Sequence, residues 1–385
     1  MSGTLGDSNN CGACGQACPA GETCSTGVCD DGALAVTSPT VFSPVVTHLS
    51  AAALVGATSI ATVNVAGIAA GDLVLVVNVR STAGNDGLWE LATVNGVAGT
   101  TLTLASPLAN AYPEPGNTVV QRVPQYTTAT ISSTLSVANW DPVGLTGGII
   151  AFAASGDVTV GASGAITVDG SGYSGGTSDS LDCSPASPGF KQEGESYVGL
   201  SGPDSATNNL ANAGGGGGGY HVCGCEGSGG GGGGYGTAGG AGGSVRSGVG
   251  CAGHAGGNGG NVYGNASLTR IYFGSGGGAG GWANDTPRAN GGAGGGMVLI
   301  FGSSDVEIDG MISASGVEGQ CESLGAGQDY GSGGGGAGGS IYLQAPTITG
   351  EGNALVAGGA GGCVNTAGHP EVGGAGGVGR VATVP

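Results

Sequence analysis

The sequence predicts an all-β protein: a compact β-sandwich or barrel domain followed by a parallel β-solenoid that carries glycine-rich, polyproline-II-like insertions. Three observations predict it. Glycine supplies 92 of 385 residues, and each interior glycine costs a helix about 1 kcal/mol relative to alanine, which excludes an ordinary helical enzyme. Runs of Val, Ile, Leu and Thr of strand length recur between turn residues, with no sustained 3.6-residue period. Triplets of such runs then repeat along the second half of the chain, the pattern of stacked solenoid rungs that bury each other's apolar faces. Collagen is excluded, because the unbroken glycine run at 214–219 destroys any every-third-residue register.

Residues 1–31 form the first element. They hold Cys11, Cys14, Cys18, Cys24 and Cys29 among Gly, Pro, Ser and Thr, and a segment so poor in core formers needs cross-links or a metal to hold a shape. The tight cysteine spacing lacks the long finger that separates two zinc-ligand pairs, so disulfides are expected. Five is odd: one cysteine is free, pairs elsewhere, or has its partner upstream of this start. No signal peptide opens the chain and no apolar run reaches the roughly 20 residues of a spanning helix. The Met-Ser-Gly-Thr start is therefore read as a processed or trimmed end of a secreted protein.

Residues 32–146 form the second element, the predicted sandwich or barrel. The runs at 72–80, 88–94 and 100–104 alternate or are wholly apolar and are separated by Gly, Asn and Pro turns. Trp89, Trp140, Tyr112 and Tyr126 are expected to pack in its core or boundary.

The solenoid is predicted over 147–385. Runs at 147–152, 157–160 and 164–170 make one rung; 295–301, 305–310 and 311–316 make another; 338–343, 346–350 and 353–358 a third; 377–383 starts a fourth. The main glycine-rich insertion, 171–294, contains two near-repeats, 214–219 closed by Tyr220 and 229–234 closed by Tyr235. A flexible linker is the alternative reading of such composition. Interspersed cysteines and the aromatics Tyr263, Tyr272, Phe273 and Trp282 favour ordered polyproline-II segments packed through their missing side chains. Cys183, Cys223, Cys225, Cys251, Cys321 and Cys363 are expected to form disulfides that pin long loops. His221 with Cys223 and Cys225 offers a metal alternative without an evident supporting shell.

Charge narrows the partners. Seven Lys+Arg against 26 Asp+Glu give a net charge of −19, and the scattered cations cannot neutralise phosphates, which excludes nucleic acid and anionic membrane. No cofactor signature occurs: the glycine runs lack the Gly-Lys-Ser/Thr of a phosphate loop. His48, His254 and His369 have no companions at metal spacing.

Two candidate sites remain. Asp305, Glu307 and Asp309 alternate with Val306 and Ile308, so the three carboxylates face outward at roughly 6.6 Å intervals. That separation suits the acid and base of glycoside cleavage, making a polysaccharide lyase or glycoside hydrolase the alternative function. No Arg or Lys stands nearby to grip an acidic sugar, and the matching positions of other rungs are Thr159 and Thr349, so a solvated face, or calcium as the cation held, competes with catalysis. The second candidate is the set Tyr220, Tyr235, Tyr272 and Trp282, aromatic faces on glycine-rich loops that would stack on sugar rings.

Residues 10–29 resemble the short cysteine-rich modules of secreted and surface lipoproteins of myxobacteria and related bacteria. Residues 147–383, with Gly-Gly-Ser-Ile-Tyr-Leu-Gln-Ala and recurrent Gly-Gly-Ala-Gly-Gly, resemble the glycine-rich solenoid regions of large bacterial surface and adhesin-like proteins. The polyglycine-tyrosine stretches are similar in style to the glycine-rich domains of phage tail-tip adhesins and certain receptor tyrosine kinases, where polyproline-II helices bundle. The resemblance implies a location outside the cell or on its outer surface, and a structural or adhesive role in which the loops meet a surface glycan or a cell-surface protein. It carries no catalytic signature. Self-association through an open solenoid end, giving a filament-forming scaffold, is the third reading.

Overall fold

The structure, a computed structural model, describes residues 23–25, 28–81, 84–177, 189–199, 204–205, 214–220, 227–245, 255–281, 289–321, 331–350, 353–363 and 371–385. Three parallel sheets form the three faces of a solenoid. The first face stacks Gln125–Tyr126, Ile149–Ala154, Met297–Gly302, Ser340–Gln344 and Arg380–Val384; the second stacks Leu34–Val36, Ala129–Ile131, Val158–Val160, Asp305–Ile308 and Thr347–Thr349; the third stacks Thr40–Phe42, Thr134–Val137, Ala165–Thr167, Met311–Ser313 and Ala354–Leu355. Their inward residues form ladders, such as Val36, Ile131, Val160 and Ile308 on the second face and Phe152, Ile300 and Leu343 on the first.

The sequence pattern distinguishes the faces. Second-face strands alternate, with exposed Asp305 and Glu307 against buried Val306 and Ile308, as expected of a sheet wet on one side. The first-face strands Ile149–Ala154 and Met297–Gly302 are apolar throughout, because the outward Ile149, Ala151, Met297 and Leu299 are buried as completely as the inward residues. Parallel strands covered on both sides read as continuous hydrophobic runs.

What covers the first face is the antiparallel domain, and here the expected boundaries are corrected. The solenoid begins at Leu34, not at 147, and takes up 125–137 as its second rung. The antiparallel domain is an insertion between the first and second rungs. Short alternating strands look alike in a sandwich and a solenoid, and pairing direction leaves no local mark in sequence. The inserted sheet runs in the order Val46–His48, Thr118–Val123, Leu73–Asn78, Trp89–Ala98, Thr101–Leu104, Ser59–Ala61. A bridge from Leu49 to Thr62 joins its two edges, so it closes as a barrel. Val74, Val76, Leu102, Tyr112 and Val120 fill the barrel, while Leu75, Val77 and Val119 face the solenoid. The apolar run at 73–77 is thereby explained: both of its faces are buried. Tyr112 and Trp140 are buried and Trp89 and Tyr126 pack at the boundary, as expected.

Every connection between rungs leaves the third face and returns to the first, so all excursions depart from one corner. The last three carry the glycine-rich segments, which are ordered and packed into a bundle beside the barrel. At its centre lies 229–234. A Cβ added at Gly229 or Gly232 would stand 2.0 or 1.9 Å from the carbonyl oxygen of Val372 or Ala375; at Gly230 or Gly233, 2.2 Å from that of Gly278 or Ser275; at Gly231 or Gly234, 2.0 or 2.4 Å from that of Asn258 or Asn261. The same neighbour returns every third residue, the period of polyproline II, in which only glycine fits at a crowded axis. The N–H groups repeat likewise: Gly229 and Gly232 donate to Gly243 and Gly240, Gly230 and Gly233 to Ser332 and Gly335, and Gly231 to Gly216. The central segment is thus enclosed by 372–375, 275–278, 258–261, 240–243, 332–335 and the strand through Gly216.

Candidate functional site

Three places in this architecture could meet a partner: the outward solenoid faces, the aromatic root of the glycine bundle, and the bundle's far end. On the second face, pairing places Ala35, Thr130, Thr159, Glu307 and Thr349 in one outward column and Asp305 beside Thr347. Neighbouring rungs stand about 4.8 Å apart, so beyond Ala35 the column is a row of threonine hydroxyls interrupted by one carboxylate. Asp305, Glu307 and Asp309 are all exposed, as the alternation predicts. Asp157 accepts from Ser304 Oγ at 2.5 Å, and Asp169 accepts from Ser313 Oγ at 2.5 Å and from the Ser315 N–H at 2.6 Å. Among the described residues no group of three or more His, Cys, Asp and Glu side chains gathers to hold a metal.

The described arginines are engaged elsewhere. Arg122 reaches Asp72 at 2.9 Å and Asp31 at 3.0 Å, Arg270 donates to the Asp86 carbonyl at 2.6 Å, and Arg380 donates to the Tyr263 carbonyl at 2.8 Å. Arg80 pairs with Glu195, whose carboxylate is wholly buried and also accepts from Trp140 Nε1 at 3.0 Å and the Ser174 N–H at 2.9 Å. This joint draws Arg80 from the barrel, Trp140 from the connection into the third rung, and Glu195 and Ser174 from the bundle. Sequence reasoning missed it, since a glutamate flanked by Gly194 and Ser196 carries no sign of burial.

At the bundle's root, Tyr197, Tyr235, Tyr263 and Tyr272 pack on one another. Ring centroids lie 4.8 Å apart for Tyr235 and Tyr263, 5.0 Å for Tyr263 and Tyr272, and 4.9 Å for Tyr197 and Tyr263. Tyr235 shares a 2.8 Å hydrogen bond with Ser340 Oγ beneath the Arg380 guanidinium, and Tyr272 donates to the Asp86 carboxylate at 2.6 Å. Burial pushes the hydroxyls of Tyr235, Tyr263 and Tyr272 well above the ordinary phenol range, and Asp86 raises Tyr272 further. Tyr235 is fully buried and Tyr272 nearly so. The expectation that these two offer open ring faces to a sugar is therefore corrected: their rings weld bundle, barrel and solenoid together. The backbone of Tyr220 pairs with Gly189, whereas its side chain and Trp282 lie outside the described residues.

At the far end the bundle's segments terminate together. Gly281 donates to Ser228, Gly331 to Gly281, Gly280 to Ala289 and Ser332 to Glu371, each through the main chain at 2.8 to 3.0 Å. Ser228 Oγ donates to the Ala255 carbonyl at 2.8 Å, Thr177 Oγ1 to Gln192 Oε1 at 2.6 Å, and Ser332 Oγ to the Cys363 carbonyl at 2.6 Å. A disulfide joins Cys321 to Cys363, whose Cα atoms are 4.5 Å apart, one of the cross-links expected from sequence. The described residues flanking 178–188, 221–226, 246–254, 282–288, 322–330 and 364–370 thus converge on one tip. Cys183, Cys223, Cys225 and Cys251 belong to those stretches and lie outside the described residues, as do Cys11, Cys14 and Cys18. Cys24 and Cys29 are backbone partners across an antiparallel pair, Thr23–Ser25 with Val28–Asp30. No helix among the described residues is long and apolar enough to cross a membrane.

No family model matches the chain, and no curated protein does. Solved structures with local similarity include the tailspike gp61 of Pseudomonas phage phi297, at TM-score 0.21 and 18% identity over 35% of this chain and 25% of that one. The gp54 tailspike of Acinetobacter baumannii bacteriophage AP22, in complex with A. baumannii capsular saccharide, matches at TM-score 0.20 and 13% identity over 36% and 27%. The tailspike gp49 of Pseudomonas phage LKA1 matches at TM-score 0.20 and 15% identity over 36% and 31%. The match spans about a quarter to a third of each tailspike's length.

Proposed function

We propose that this protein is an extracellular or outer-surface structural and adhesive module that presents loops to a surface glycan or a cell-surface protein. The observation that carries this reading is the convergence of the bundle's segment ends on one tip, fastened by Cys321–Cys363. Loops held by a rigid scaffold are the usual place for recognition, because the scaffold removes the ordering entropy that binding would otherwise oppose. The stretches rooted at this tip hold Trp282, Tyr330, Arg246, Arg288, His221, His254 and His369 in sequence.

The test is a glycan array and insoluble-polysaccharide pull-down with the folded, oxidised chain, with and without calcium, assaying the supernatant for released sugar. Binding is expected to weaken at least tenfold in Trp282→Ala and to persist in Asp305→Ala/Glu307→Ala. Released sugar that disappears in Asp305→Ala/Glu307→Ala would instead assign the second face to a glycoside-cleaving enzyme. Absence of binding to glycans and to intact cell surfaces alike would overturn the adhesive reading.

A further inference from the structure

The outermost layer of the glycine bundle carries a repeat that neither the tip nor the solenoid uses. Residues 238–244 read Ala-Gly-Gly-Ala-Gly-Gly-Ser, 357–363 read Ala-Gly-Gly-Ala-Gly-Gly-Cys, and 372–378 read Val-Gly-Gly-Ala-Gly-Gly-Val. The three segments are neighbours. Gly240 and Gly243 donate to Ala375 and Val372 at 2.7 Å, and Gly376 and Gly373 donate to Gly359 and Gly362 at 2.8 and 3.0 Å, so both outer segments run antiparallel to 372–378. Beneath them, Gly374 and Gly377 donate to Gly230 and Gly233. Because polyproline II turns once every three residues, all the non-glycine residues of each repeat point the same way. That way is outward: Ala241, Ala357, Ala360, Val372, Ala375 and Val378 are exposed, Val372 by 42% and Val378 by 47%.

We infer that this face is the contact surface for a second copy of the same chain, two bundles meeting layer on layer. Four observations point to a copy of itself. First, segment 372–378 is flanked by 238–244, 357–363, 227–236 and 331–339, whereas the central 229–234 has six neighbours; the two open positions are those that another glycine layer would fill. Second, the N–H groups of Ala241, Ala360 and Ala375 have no acceptor among the described residues. Third, the outward side chains repeat about every 9.3 Å along each row, three residues at 3.1 Å. Only a surface of the same period can seat its side chains between them across several rows. Fourth, the three repeats contain no charged residue, on a chain of net charge −19. Two such chains repel through any acidic surface and can approach closely through this one.

The size sets the strength. The three repeats, each about 22 Å long and spaced roughly 5 Å apart, offer about 330 Å² per copy. That is about half of the roughly 1,200 Å² in total that a stable interface buries, so a weak, rapidly reversible dimer with a dissociation constant on the order of 100 µM is expected.

The test is sedimentation equilibrium of the full, oxidised chain from roughly 1 to 200 µM, at low and at 0.5 M salt. Dimer formation is expected and should strengthen with salt, as screening removes the repulsion between acidic chains. Ala375→Glu, whose Cβ already points to solvent, should weaken the dimer at least tenfold while leaving the melting temperature unchanged. Thr159→Glu, on the second solenoid face, should leave it intact. A chain that stays monomeric throughout at 0.5 M salt would overturn the inference, and so would a dimer that Ala375→Glu and Ala360→Glu fail to weaken or that Thr159→Glu weakens equally.

Discussion

In the solenoid, Phe152, Ile300 and Leu343 stack rung upon rung and the backbone keeps to the outside of a side-chain core. In the bundle beside it, the carbonyl oxygens of Asn258, Gly278 and Ala375 occupy the space where side chains of 229–234 would lie, and backbone touches backbone. Both regions are buried and close-packed, yet their stabilities have different sources. Each fully buried Val, Ile or Phe of the solenoid contributes about 1.5–3 kcal/mol of hydrophobic free energy. A bundle glycine contributes main-chain hydrogen bonds worth about 0.5–1.5 kcal/mol net, against a backbone ordering entropy of about 1–2 kcal/mol that is largest for glycine. The bundle is therefore near balance on its own account. It holds because it is welded at its root by Tyr235, Tyr263 and Tyr272, fastened at its tip by Cys321–Cys363, and tied to the barrel by Glu195.

The sharpest way to break the comparison is to empty one site in the solenoid and to fill one in the bundle. Phe152→Ala, which empties a solenoid site, is expected to lower stability by about 3–5 kcal/mol. Gly231→Ala, which merely adds a methyl, should cost about 3 kcal/mol or more, at or above the usual penalty for overpacking, because the atom it meets is the Asn258 carbonyl 2.0 Å away and that backbone is itself enclosed. Urea unfolding of both variants checks this; a Gly231→Ala protein within 1 kcal/mol of the parent would mean that the bundle yields and is not close-packed.

A smaller effect is expected from the staple. Cys321 and Cys363 are 42 residues apart, and a cross-link over such a loop stabilises by about 2–4 kcal/mol. Cys321→Ser/Cys363→Ser should lose that amount in the bundle, read as faster amide exchange at 331–339 and 371–379, while exchange in the second face stays unchanged. Equal acceleration in both regions would show that bundle and solenoid unfold as one unit.

The smallest effect per group is alkaline. Burial raises the tyrosine hydroxyls at the root, and Tyr126, packed against the solenoid core, is pushed up to about 12. A raised phenol is stabilising while the unfolded chain's tyrosines remain protonated, below about pH 10, and that stability is lost as pH climbs towards the folded value. Each such tyrosine should remove about 1.4 kcal/mol per pH unit above 10. Absorbance at 295 nm should rise together with loss of near-ultraviolet circular dichroism, and Tyr235→Phe should shallow the slope. Tyrosines that ionise near pH 10 with the fold intact would contradict their burial.

Much of this was legible in the chain. The alternation at 305–309 specified outward carboxylates and inward aliphatics because strand side chains switch sides at every residue, and the recurring triplets specified a solenoid. The glycine excess with embedded aromatics specified ordered packing without a conventional core. Tertiary structure alone decided three things. Strands Leu34–Val36 and Thr40–Phe42 joined the solenoid and not the barrel, because pairing partner and direction depend on which distant strand arrives. Tyr235 and Tyr272 went inward instead of outward, because an aromatic among glycines is equally suited to filling a junction and to meeting a ligand until its neighbours are known. And although Gly-Gly-Ala-Gly-Gly is written several times, only the lattice determined which copies lie on the surface. A three-residue turn fixes the side on which alanines align, whereas the number of neighbouring segments fixes whether that side meets backbone or solvent.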